Sequence, residues 1–498
     1  MNLARKAAVF SVLAVALLVA LLLWKPGEPV RATLKQPLVV YCAAGVKPPV
    51  EAAARAYEAA YGVNVQLQYG GSGTLLSNLR VSRQGDLFLA ADDSYLRIAR
   101  TNHLLDEVIP LARIKPVIGV RKGNPKKITG LSDLLREDVG LAQANPDAAA
   151  IGKVTRELLR KSGEWPALEK HTRVFKTTVN DVANDLKLGT VDAGIIWDAT
   201  AKQYPELEQV AVPAFERGEQ SIAIGVLKFS EHPTEALKFA RYLGARDRGI
   251  KQFSHFGYRP VEGDLWRERP EVVIYSGDVN RTAIEDTIKR FEAREGARVT
   301  RVYNGCGILV SQMKAGQRPD AYFACDLPFL RQVQDQFLDP VEISETDLVM
   351  LVARGNPKGI KVLADLAKPG LRLGMGNGQQ TALGALTVRV LQEANLYDAV
   401  RANVRAETPT ADLLVNQMKT GSLDAVLVYE ANAANVREAL EMIPLHLSGA
   451  RAIQPFAIAR SSDHKFLVER LREAIQTDES RKQFESVGFR WRAGAADR

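Results

Sequence analysis

A series of short motifs in the first half of the chain returns in the second with a shift of about 230 residues, and this duplication limits the folds open to it. Val39-Val40-Tyr41 recurs as Val273-Ile274-Tyr275, and Tyr69-Gly70-Gly71-Ser72-Gly73 as Tyr303-Asn304-Gly305-Cys306-Gly307. Gly85-Asp86-Leu87-Phe88 matches Pro319-Asp320-Ala321-Tyr322, and Asp92 falls on Asp326. Further on, Gly123-Asn124-Pro125-Lys126 matches Gly355-Asn356-Pro357-Lys358, and Gly189-Thr190-Val191-Asp192-Ala193 matches Gly421-Ser422-Leu423-Asp424-Ala425. Order and spacing hold with a two-residue slip. So long a period means duplicated domains rather than a solenoid. The length of 498 residues agrees, because one core rarely grows beyond about 250–300 residues. The chain is therefore read as an N-terminal segment, residues 1–35, a first domain, 36–266, and a second, 270–494.

Each half alternates apolar, β-rich runs with stretches of helical periodicity. Leu38–Tyr41 reads as a strand and Val50–Tyr61 as a helix; Val63–Tyr69 then leads through Gly70–Gly73 into a helical Thr74–Arg83. Val139–Ala142 before Ile151–Arg160, and Asp192–Trp197 before Thr200–Tyr204, repeat the unit. Such alternation implies an α/β fold of doubly wound, mostly parallel sheets. In these sheets ligands sit beyond the carboxyl ends of the strands. There the first turn of a helix offers unpaired N–H groups and the positive end of its dipole to an anion.

The amino terminus differs from the rest. Ala7 to Trp24 is uninterrupted and apolar, with Arg5 and Lys6 before it and Lys25 after it. It is expected to be a membrane anchor, or else a signal peptide processed near Ala32; either exports the body. The net charge of +8 comes from Lys and Arg scattered among Asp and Glu, with no basic run interleaved with aromatics, so no nucleic-acid partner is expected. Cys42, Cys306 and Cys325 show no metal-ligand spacing, and an odd count gives no complete disulfide framework. They are expected to be buried free thiols. No metal or cofactor is expected.

Together these residues resemble the class II periplasmic solute-binding proteins of ABC transporters, the first half being most similar to the molybdate-binding branch. The carriers are Val40-Tyr41-Cys42-Ala43-Ala44, Gly71-Ser72-Gly73, Asn145-Pro146 with Ile151-Gly152, and Val179 to Gly194 with Trp197. The second half, with Tyr275-Ser276-Gly277-Asp278 and Pro319-Asp320-Ala321-Tyr322, is equally similar to iron- and phosphonate-binding relatives. The resemblance implies two periplasmic-binding-protein-like (type II) domains, each of two lobes closing over a small ligand that is passed to a membrane permease. It also implies a body on the extracytoplasmic face of the cell membrane.

Carried over position by position, the resemblance assigns ligand contacts to Gly45, Ser72, Gly73, Ile151, Val179 and Trp197. In the second half it assigns Val279, Cys306, Gly307, Leu383, Ala411 and Tyr429. A serine expected at Gly45 is absent, and Trp197 stands where a tyrosine is usual; in the second half the tyrosine stays and the serine is Cys306. Asp198 and Glu430 directly follow the presumed donors. Facing the cleft they would oppose an anion; facing solvent they would not matter. The expected ligand is a small oxyanion such as molybdate or tungstate. Iron- or phosphonate-type binding, or a membrane-anchored sensor or scaffold with degenerate domains, are the alternatives. The sequence carries no GxSxG, Walker or HExxH motif, and its six histidines do not cluster, so an enzyme is not expected.

Overall fold

The computed structural model describes residues 36–494, in which strands and helices alternate as the apolar pattern requires. Leu38–Ala43 is buried along nearly its whole length and pairs in parallel with Val65–Gly70 and Leu87–Ala90. A strand covered on both faces reads as a continuous apolar run rather than as an alternation. The following helix, Lys47–Tyr61, has prolines in its first turn and buries Val50, Ala53, Ala54 and Tyr57. It stops at Gly62, whose φ of 68° is open to glycine at little cost. The expected elements are present, with ends moved by a few residues; the helix after Gly70–Gly71, for example, begins at Ser72 rather than Thr74.

In the first half a six-stranded sheet runs in the order Arg259–Pro260, Leu105–Ile114, Gln220–Leu227, Leu87–Ala90, Leu38–Ala43, Val65–Gly70. A five-stranded sheet runs Val174–Lys176, Leu141–Ala144, Ala193–Trp197, Pro116–Arg121, Leu207–Val210. These are the two lobes. The sheets are mixed rather than mostly parallel. Gln220–Leu227 is antiparallel to both of its neighbours, and Pro116–Arg121 to both of its own. The strands that cross between lobes enter each sheet against the direction of the strand–helix units.

The second half repeats this plan with one change. Val341–Ala353 is a single 13-residue strand that pairs first with Arg451–Ile458 and then with Ala425–Tyr429, linking both lobes in one ten-stranded sheet. Its first-half counterpart breaks at Lys115, between Leu105–Ile114 and Pro116–Arg121. Pro116 has no N–H with which to continue a ladder. The carboxylate of Asp198 accepts the Lys115 N–H instead, at 3.1 Å.

The residues that reveal the duplication mostly serve the scaffold. Asp86 accepts the Val39 N–H (2.9 Å), and Asp320 accepts the Val273 N–H (2.8 Å). Asp192 and Asp424 do the same for Gly140 and Arg372. Asn124 and Asn356 both adopt φ of 44° and bond their amides to the backbone of Ile128 and Ile360. Each satisfies a backbone group that would otherwise be orphaned at a strand end or turn.

Two hydrophobic cores result, one from Leu38 to Trp266 and one from Val272 to Phe489. The strands bearing Tyr41 and Tyr275 lie in different sheets. One cysteine expectation is overturned: Cys306 and Cys325 form a disulfide, while Cys42 is free and buried. Nineteen residues apart in sequence, the pair meets because one starts a helix and the other follows a strand end, with Cα atoms 6.4 Å apart. The Ala7–Trp24 run lies outside the described residues. Among those described, no helix is long and apolar enough to cross a membrane.

The halves meet through charge. Glu295, 1% exposed, accepts two bonds from Arg470 at 2.5 and 3.0 Å and lies 3.7 Å from Arg241 of the first half. Asp264, near the end of the first half, accepts the N–H groups of Phe466 and Leu467 at the start of helix Lys465–Ile475, both at 2.9 Å. Removing one partner of a buried ion pair strands the other. Glu295→Ala is therefore expected to lower stability by about 3–5 kcal/mol in urea titration, and Glu295→Ala with Arg470→Met to recover part of the loss.

Candidate functional site

The carboxyl ends of the first half's strands converge on the seam between its lobes. Leu38–Ala43, Val65–Gly70, Leu87–Ala90 and Ala193–Trp197 all finish at a pocket of about 10 Å³. Five of the residues assigned from sequence line it: Gly45, Ser72, Ile151, Val179 and Trp197. The pocket is smaller than the roughly 300–1,000 Å³ of drug-sized sites, and none of its lining side chains is charged.

What the pocket offers is hydrogen-bond donors. Ser72 opens helix Ser72–Ser82, Ile151 is the second residue of Ala150–Ser162, and Val179 opens Val179–Leu188. N–H groups at these positions have no intrahelical acceptor, and the helix dipoles place partial positive charge there. The Ala91 N–H donates to Ser72 Oγ at 3.2 Å, which leaves the serine's own O–H to point elsewhere. Trp197, 1% exposed, has an indole N–H that can only donate.

Gly73 has a different partner. Its N–H and that of Thr74 donate across the seam to Ala148 O, at 2.9 and 3.3 Å. This approach admits no side chain. A Cβ at Gly73 would sit 2.6 Å from Asp147 O, and one at Gly71 would lie 2.8 Å from Thr177 O.

The two departures noted in the sequence compensate each other. A Cβ on Gly45 would lie 3.2 Å from Trp197 Cδ1 and 3.0 Å from Val179 Cγ1. The indole fills the space that a serine side chain would need. Gly45 is held from behind by Tyr258, whose hydroxyl donates to Gly45 O and accepts from Gln203 Nε2 at 3.2 Å. Burial raises the Tyr258 pKa, which keeps it a neutral donor. Nothing in the repeat marks Tyr258 as a member of the site.

The two carboxylates beside the presumed donors turn away. Asp198 accepts from Lys115 and Ala199 N–H at the strand break, and Glu430 lies 3.6 Å from Arg437. A second feature that sequence reasoning missed ties the lobes together. Lys153, on the helix after Ala149, reaches Ser94 Oγ and lies 3.8 Å from the buried Asp92 and 4.8 Å from the Tyr95 ring centre. Asp92 caps the opposite lobe's helix Asp93–Thr101, and its pKa is raised, first by burial.

In the second half, Cys306, Leu383 and Ala411 occupy the same helix-start positions, Val279 lies in a short 3-10 turn, and Tyr429 ends its strand. Gly307 N–H donates to Gln380 O at 2.9 Å, as Gly73 does to Ala148. The Tyr429 hydroxyl is buried without a hydrogen-bond partner among the described residues, and burial and then Asp326 raise its pKa. Ala385 stands where the first half has Lys153. Among the described residues no group of three or more His, Cys, Asp or Glu is placed to hold a metal.

The chain belongs to the family of bacterial extracellular solute-binding proteins, whose model matches residues 38–259 and again 272–490. It is a tandem periplasmic binding protein of ABC-transporter type, a family of binding proteins rather than enzymes. A putative binding protein of Haemophilus influenzae is 27% identical over 225 residues, 45% of this chain and 91% of that protein. The molybdate-binding protein ModA of Mycobacterium tuberculosis is 29% identical over 206 residues, 39% of this chain and 74% of ModA. The solved substrate binding domain of a putative molybdenum ABC transporter from Clostridium difficile aligns at 23% identity with a TM-score of 0.36, covering 45% of this chain and 99% of that one.

The packing of Trp197 over Gly45 gives a direct test. Gly45→Ser is expected to lower the thermal midpoint, because the new side chain meets the indole, and Gly45→Ser with Trp197→Tyr to restore it. Additive losses in the double variant would count against the compensation.

Proposed function

We propose that the chain, as two units spanning 36–266 and 270–494, captures a small oxyanion in the cleft of its first half and delivers it to a membrane permease. Molybdate and tungstate are the leading candidates. The observation that carries this reading is the chemistry of the first pocket. Three helix starts, a serine hydroxyl and an indole N–H face a space with no charged side chain in its lining. Donors of this kind suit an anion that sheds its water, since bonds to a charged partner contribute about 1.5–3 kcal/mol each. The similarity to ModA supports the same ligand class. An iron-type reading has less support, because neither a carboxylate nor a tyrosine lines this pocket.

The disulfide bears on location. Such bonds persist in oxidising compartments and are rare in the cytosol, so Cys306–Cys325 favours a body outside the cytoplasmic membrane, tethered or exported by the Ala7–Trp24 segment. Calorimetric titration of the exported chain with molybdate, tungstate, sulfate and phosphate tests the ligand. Ser72→Ala should weaken the bound oxyanion by about tenfold or more, consistent with one hydrogen bond to a charged group. If ferric iron binds and none of the anions does, the oxyanion assignment is wrong.

A further inference from the structure

The two clefts are built alike up to the point where a ligand would sit, and there they diverge. In the first, Ala91 N–H donates to Ser72 Oγ, and beside them stands Ala43. In the second, Cys325 N–H donates to Cys306 Sγ at 3.0 Å, the same bond between the same backbone positions. Both sulfurs are then joined, and Gly277 replaces Ala43. That glycine is required. A Cβ there would run into Cys325 Sγ and lie 3.1 Å from Cys306 Sγ. The second sulfur thus stands where the first half has the Ala43 methyl, and the first sulfur, bonded to it, has no hydroxyl to donate.

Two further differences act in the same direction. Asp278 stands where the first pocket has Ala44, and Asp412 corresponds to Asn180, next to the pocket-lining Val179. Burial and then the neighbouring carboxylate of Asp412 raise the pKa of Asp278, so the two acids lie close to each other. Like charges of this kind oppose an anion. Meanwhile the lobes stay closed: Gly307 N–H still donates to Gln380 O, and a Cβ at Gly305 would lie 2.8 Å from Pro409 O. The Tyr429 hydroxyl is buried and unpartnered among the described residues.

We infer that the chain carries one oxyanion rather than two, because the second cleft has lost its hydroxyl donor to the Cys306–Cys325 disulfide and has gained an acid pair beside it. The inference rests on the oxyanion reading of the first cleft. The disulfide and the acid pair together turn a copied binding site into a closed, unresponsive lobe pair, while the first half alone reports on ligand.

The test is binding stoichiometry in the full chain, oxidised, with molybdate or whichever of tungstate, sulfate and phosphate binds. Wild type should take one anion, and Ser72→Ala should lose at least tenfold in affinity with no second site remaining. Rebuilding the second cleft to match the first, with Cys306→Ser, Cys325→Ala, Asp278→Ala and Asp412→Asn, should add a second site. A control with the two cysteine substitutions alone reports whether the chain folds without its disulfide. Two sites in wild type overturn the inference while leaving the oxyanion reading standing; one site of unchanged affinity in Ser72→Ala overturns the inference and the placement of the anion at Ser72 together. A folded rebuilt chain that still takes one anion overturns it as well. No anion bound by wild type removes the oxyanion reading itself, and the inference with it.

Discussion

Closure of each half depends on backbone meeting backbone. The N–H of Gly73 reaches Ala148 O across the lobes, and that of Gly307 reaches Gln380 O, both at 2.9 Å. Such contact is possible only where no Cβ intervenes, so glycines flank Ser72 and Cys306 on both sides. Once the lobes stand at this distance, the residue between the glycines and the helix starts opposite it are brought to one small volume. The Gly-x-Gly spacing is thus a condition of lobe closure first and of binding second. This also explains why it survives in the half whose middle residue is a disulfide-bonded cysteine.

The first cleft gathers positive potential without a single cation. Its donors are backbone groups at helix starts, one hydroxyl and one indole, and the nearby acid Asp198 is occupied in mending a strand break at Lys115. The larger groove of about 410 Å³ between the halves is a contrast. Arginines line it, yet Arg294 is bound to Glu107, Arg470 to Glu295, and Arg290 lies 3.5 Å from Glu479. Charges that satisfy one another hold a junction; dipoles that face an empty centre can hold a ligand.

Much of this was legible in the sequence because duplication writes the scaffold twice. The Asp86/Asp320 and Asn124/Asn356 pairs recur because each satisfies a fixed backbone group, and those groups belong to the fold rather than to the ligand. The cleft-lining positions followed from the family resemblance, since helix starts at strand ends have a fixed geometry. What stayed hidden depends on contacts between segments far apart in sequence. Tyr258 supports Gly45 from more than two hundred residues away, and Lys153 meets Asp92 across the two lobes. The disulfide was hidden by the count of three cysteines, which masks one pair and one buried thiol.

Comparison of the two copies separates what the fold needs from what a ligand needs. The backbone bonds of closure and the side chains that tie strand ends are kept in both halves. The residues at the cleft are not: Ala43, Ser72, Ala91 and Lys153 correspond to Gly277, Cys306, Cys325 and Ala385. The lysine that ties the lobes of the first half is also absent from the second: Lys153, which touches no residue of the pocket wall, has Ala385 in its place. The two copies therefore share the backbone bonds of closure and differ in the side chains around the cleft and in the ion pair that spans the lobes of the first half.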